Sequence, residues 1–242
     1  MAFTSANLQQ VSQNLVDFLE KTASQENNSD SDFRQVVQGA GSARFTTLIE
    51  QLLAAIDGYG CWCNFDTDYS KGKGDPVNII DGHCKTLALG YTCAIMDGRE
   101  ENDPCEEPWN SGYTPHDLFL VNTDPIPDQC LAKNAGDNCK IRSCIIEGHF
   151  SQIILEDFAN SNVYDPNYKH GGGFFDPEIE CVTGPGSGMQ SEKSCCGIYP
   201  FVFPFKTYGN DRACCGSRTY DTQNKCCEDE GTSQILNFGQ CS

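Results

Sequence analysis

Apolar residues recur every three or four positions at Leu8, Val11, Leu15, Val16 and Leu19, which marks one helical stripe and predicts an amphipathic helix over 5–23. Phe45, Leu48, Leu52, Leu53 and Ile56 predict a second over 43–56, stopped by Asp57-Gly58. Ile79, Ile80, Cys84, Leu87, Leu89 and Tyr91 predict another over 77–94, with at least one cysteine on its buried side. A third core helix is expected over 138–158, where Ile141, Cys144, Ile145, Phe150, Ile153, Ile154 and Phe158 share the apolar positions. Two antiparallel helices tied by bridges are the expected kernel. No window approaches eighteen consecutive apolar residues, so no spanning helix is predicted.

The stretches between these stripes lack periodicity. Residues 25–32 are polar and acidic and read as a connector, and Asn27-Asn28-Ser29 is a glycosylation sequon. Residues 61–76 read as a loop, as do 97–129, the latter with a short extended piece at 118–121. The glycine run at 171–173 and Pro-Gly-Ser-Gly at 185–188 make 159–191 a hinge between modules. Beyond it a double-cysteine unit recurs at Cys195-Cys196, Cys214-Cys215 and Cys226-Cys227.

Sixteen cysteines, an even number, change the picture from a helical protein to a disulfide-rich one in an extracellular or secretory-lumenal compartment. Eight lie between Cys61 and Cys144 and eight between Cys181 and Cys241, so each half is expected to close its own bridges. No cysteine quartet has zinc or iron–sulfur spacing. Residues 1–25 show no secretory leader, which implies either a leader removed ahead of Met1 or unconventional export. A net charge of -18, from 34 acidic and 16 basic residues, disfavours nucleic acid and anionic membranes and leaves cationic partners open.

Tyr59-Gly-Cys-Trp-Cys63, then Gly72-Lys-Gly-Asp-Pro-Val-Asn-Ile-Ile-Asp81 and Cys84, resemble the calcium loop and first long helix of secreted phospholipase A2, over about residues 42–158. The family pattern D-x-C-C-x-x-H-D-x-C-Y carries a catalytic histidine beside a calcium-binding aspartate. Anchoring on Cys84 puts Leu87 and Ala88 at that pair; anchoring on Cys93 puts Gly90 and Tyr91 there. Neither supplies a base for ester hydrolysis. His83 is the weak catalytic candidate, one turn and about 6 Å along the axis from Leu87. His149 lies two residues after Glu147, in the helix where the family places an aspartate supporting its pair, and reads as an ordinary helix residue. The resemblance implies a calcium loop, here with Tyr59, Cys61, Asn64, Asp66 and Asp68 as candidate ligands; Asn64, Phe65 and Asp66 stand where the family has small glycine-rich residues, and Asp66, Asp68 and Ser70 alternate without completing an EF-hand. It also implies the bridges Cys63–Cys84, Cys105–Cys130, and Cys93 to Cys139 or Cys144, among the 105 pairings that eight cysteines allow.

The region from Cys195 to Cys241 resembles the double-cysteine repeats of galaxin-like matrix proteins. Adjacent cysteines do not readily bond each other, so each pair is expected to reach two partners. Its aromatic and proline cluster at 199–208 reads as module core or as a partner-binding face.

The fold class expected is mainly α and disulfide-rich: an N-terminal helix and acidic linker (1–41), a phospholipase A2-like helical domain (42–158), the hinge (159–191) and a small irregular or β cystine-rich module (192–242). The expected function is a secreted, non-catalytic structural, assembly or binding module of a matrix or surface structure. Its partners would be extracellular proteins or further copies of itself, with lipid or a divalent cation such as calcium as further ligands. The alternative is a divergent calcium-dependent phospholipase A2 hydrolysing phospholipid esters.

Overall fold

A computed structural model describes residues 55–63, 72–116, 124–159, 163–182, 192–228 and 233–241. The expected helix over 5–23, the connector and its sequon, the extended piece at 118–121 and all but the last turn of 43–56 lie outside these residues. What is described is a helical body and a small β module, with eight disulfides and no free cysteine.

Two 22-residue helices, α1 (Ile79–Glu100) and α3 (Asn138–Ala159), form the body. Asn78 caps α1, its side chain accepting from the Asp81 amide at 3.1 Å. Contacts between them run in opposite senses, His83 with Asp157, Tyr91 with Glu147 and Glu101 with Arg142, so the helices are antiparallel. Gly90 allows close approach, because a Cβ there would stand 3.1 Å from Ile146. α1 runs six residues beyond the expected end at 94, and the first residues of the predicted 97–129 loop belong to it. The end of that loop also opens a second element, α2 (Ile126–Lys133), with a proline in its first turn and Ile126, Gln129 and Cys130 buried on α3. Eight residues are too few for periodicity to reveal it.

The middle of the predicted hinge is an ordered strap. Residues 163–182 lie across the turn at 57–63: Tyr164 stacks on Tyr59 at 5.1 Å, Tyr168 meets it edge-on at 6.1 Å, and Cys61 is bonded to Cys181. The glycines and prolines form the turns that let these aromatics reach the core, including the four-residue α4 (Pro177–Glu180).

The C-terminal module is three antiparallel hairpins of four-residue strands: β1 (Lys193–Cys196) with β2 (Phe203–Lys206), β3 (Arg212–Cys215) with β4 (Arg218–Asp221), and β5 (Lys225–Glu228) with β6 (Gln234–Asn237). Adjacent cysteines on a strand face opposite ways, and each pair reaches two partners through Cys196–Cys214, Cys215–Cys227 and Cys226–Cys241. The first hairpin lies on α1. Cys93 bonds Cys195, the Tyr199 hydroxyl donates to Asp97 at 2.8 Å, and the Arg142 guanidinium lies over the Tyr199 ring at 5.8 Å.

The halves therefore do not close their own bridges: Cys61–Cys181 and Cys93–Cys195 cross between them. Cys63–Cys84 is the pair the resemblance implies. Cys105 bonds Cys139 rather than Cys130, and Cys144 bonds Cys130. The cause lies in which neighbour each helix face meets: Cys93 faces the first hairpin, and Cys144 faces α2.

Removing Cys61–Cys181, which closes a 120-residue separation, should cost up to about 5 kcal/mol by chain entropy. In a Cys61→Ser/Cys181→Ser variant the 163–182 amides should exchange with deuterium fastest, while the third hairpin keeps its protection.

Candidate functional site

The facing sides of α1 and α3 carry three polar layers separated by apolar ones. At the α1 N-terminal end His83 Nε2 lies 2.5 Å from Asp157 Oδ2, both partly exposed. At the far end Arg142 Nη2 donates to Glu101 at 2.5 Å, and its Nη1 is buried with no partner among the described residues. The central layer is the dry one. Glu147 is 1% exposed and takes the Tyr91 hydroxyl on Oε1 at 2.7 Å and the Tyr113 hydroxyl on Oε2 at 2.8 Å. Trp109 closes over Tyr91, edge to face at 5.8 Å.

Burial pushes the Glu147 carboxyl up to about 7, against the pull of the two hydroxyls. When protonated it becomes a donor, and one of the two tyrosine bonds must reverse direction. The arrangement can therefore hold one proton near neutral pH. On the side towards His83 the next turn of α1 presents only Leu87 and Ala88, 4% and 2% exposed, which hold no proton. One turn beyond Glu147 on α3, the buried Ser151 hydroxyl has no partner among the described residues. His83 stands eight residues from Tyr91, about 12 Å along the helix, with Leu87 between. His149 turns to the C-terminal module, its ring 4.7 Å from Phe201.

Asp81 anchors the neighbouring turn. Fully buried, it accepts the backbone N–H groups of Cys61 at 2.9 Å, Trp62 at 2.7 Å and Val77 at 2.9 Å. Desolvation raises its pKa while those donors oppose the shift. Gly60, with φ +62°, passes so close that any Cβ would collide with this carboxylate.

Of the candidate calcium ligands, Asn64, Asp66 and Asp68 lie outside the described residues. Tyr59 is fully buried, its carbonyl accepts from Cys63 N at 3.2 Å, and its phenol oxygen accepts from Asn78 at 2.6 Å and from the Asp165 amide at 3.2 Å. Cys61 gives its sulfur to Cys181 and its N–H to Asp81, and neither contact engages its carbonyl. The Gly60 carbonyl is met by His170 Nε2 at 2.6 Å. Ala88 offers no ligand atom, and both Asp81 oxygens already face protein donors. His116, Cys130 and Cys144 have ligand atoms within 4.8 Å of one another, but the two sulfurs are bonded to each other and provide no thiolate.

The cysteines named in the sequence, Cys63, Cys84, Cys93, Cys105, Cys130, Cys139 and Cys144, are all bridged. Sequence reasoning missed Tyr113, which sits in irregular chain. An acid at 147 directly after Ile145 and Ile146 was the available signal of a buried carboxyl. No helix among the described residues is long and apolar enough to cross a membrane. Comparison with family models, curated proteins and solved structures gives no match, so the chemistry of this site rests on its own geometry.

Glu147 carries a pH signature. In the unfolded chain its carboxyl ionises near 4.5, in the folded protein near 7. Its contribution is fully present below the lower value and declines as pH rises through the upper, by about 3 kcal/mol across the interval. Non-reducing denaturant melts of Glu147→Gln should show a flatter stability profile over this range than the parent.

Proposed function

We propose that this chain is a secreted, non-catalytic protein whose helical body has the frame of a phospholipase A2 without its water-activating pair, and which serves as a structural or binding module of an extracellular assembly. The observation that supports this most is the filling of the layer beside Glu147 by Leu87 and Ala88. Two hydroxyls and a carboxyl remain, but a neutral aliphatic surface stands where a base and a cation-holding carboxylate would be needed. Eight bridges support an oxidising compartment. The chain of double-cysteine hairpins supports the assembly role, because covalent ties between very short strands stabilise a module with little core of its own.

The second reading, a divergent hydrolase, draws on the His83–Asp157 pair, in which a carboxylate orients an imidazole. With Nε2 engaged, only Nδ1 is left to act as a base, and the pair lies away from the Glu147 layer. Incubated with mixed phospholipid micelles and millimolar calcium, the intact chain should release no fatty acid above background. Turnover that disappears in His83→Ala would replace the first reading with the second.

A further inference from the structure

We propose that the concave face shared by the three C-terminal hairpins is a binding site for a neutral oligosaccharide. The site stands independently of any lipase-like ancestry of the helical body. Its cavity is about 1060 Å³, at the upper end of ligand pockets, which suits an extended ligand of several units. Glu192 before β1, Tyr208 after β2, Arg212 on β3, Tyr220 on β4, Lys225 on β5 and Ile235 on β6 all line it, so each hairpin contributes.

A second, independent observation is the backbone at its rim. Tyr208, Gly209 and Asn210 are three successive left-handed residues, with φ of +50°, +71° and +79°. Glycine would occupy position 208 without strain, whereas a bulky ring there is costly. The fold nonetheless holds a tyrosine at that point, 42% exposed, on the cavity wall. Such strained positions concentrate at functional sites, and this one lies on the cavity wall.

The lining selects the ligand class. Two tyrosine rings in the lining suit the C–H side of a pyranose, and Arg212, Gln223, Glu192 and Asp211 bring donors and acceptors suited to its hydroxyls. Arg212 Nε donates to Thr219 Oγ1 at 3.0 Å, which sets the plane of the guanidinium. Among the described lining residues Ile235 is the one aliphatic side chain, and the rest of the apolar surface is tyrosine ring and side-chain stem. Three acids, Glu192, Asp211 and Asp221, against Arg212 and Lys225, on a chain of net charge -18, repel sulfated glycans and nucleic acid. Asp221 is spent internally, on the Gln223 amide at 2.8 Å and on Asn224 at 2.7 Å, which argues against a cation in its place.

The test uses the full, disulfide-intact chain and a panel of neutral tetra- to hexasaccharides built from glucose, galactose, mannose or N-acetylglucosamine, read by saturation-transfer NMR and calorimetry. At least one series should bind. Tyr220→Ala and Tyr208→Gly should each weaken it about 2- to 10-fold, the loss expected for one ring contact. Tyr208→Gly should also hold or raise the melting temperature, a combination that a merely structural tyrosine would not give. Phe238→Ala, an exposed ring outside the lining, should change nothing. Should Tyr220→Ala fail to fold, Tyr208→Gly and Arg212→Gln carry the test. No binding by any neutral sugar at about 10 mM, binding only by sulfated glycans or peptides, or full affinity in the folded variants would overturn the proposal.

Discussion

One buried carboxylate organises the helical body. Asp81 sits in the first turn of α1 and accepts three backbone N–H groups from outside it, so the turn at 57–63 and the approach at Val77 are held to the start of the helix together. An unpartnered buried amide costs about 1–3 kcal/mol. The Cys63–Cys84 bridge closes beside it, and the strap at 163–182 packs its aromatics on the far side of the same turn. Without that carboxylate, three donors would be left dry and the strap would lose the surface it covers.

The long helices were legible because a buried stripe repeats over several turns. Ile80, Cys84, Leu87 and Tyr91 on one helix and Ile145 to Ile154 on the other declare themselves by spacing alone, and both helices are found at those places. α2 was not legible, since two turns carry too little pattern, and the strap was misread because glycine and proline signal turns without saying whether those turns are packed. Pairing of cysteines escaped for a different reason. It depends on which element faces which, and the first hairpin lying on α1 takes Cys93 away from α3.

The candidate site was half visible. Leu87 and Ala88 were readable as apolar residues on a helix, whereas the Glu147 layer needs Tyr113, delivered by irregular chain more than thirty positions away, |i−j| = 34. The result, among the described residues, is an acid tuned towards neutrality by burial, held between two hydroxyls and a hydrocarbon wall. The hairpin groove was invisible in the sequence, because its lining comes from four strands too short to show alternation, from residues flanking the first hairpin and from a strained turn that no composition announces.

The order of the C-terminal bridges makes the module a load path. From Cys93 on α1 one passes to Cys195, along one peptide bond to Cys196, then to Cys214, Cys215, Cys227, Cys226 and finally Cys241. Four sulfur–sulfur links and three peptide bonds span the distance, and the intervening hairpin loops hang off this line as slack that tension never reaches. Pulled between its body and its last cysteine, the chain would behave as a short inextensible tether rather than a string of unravelling hairpins.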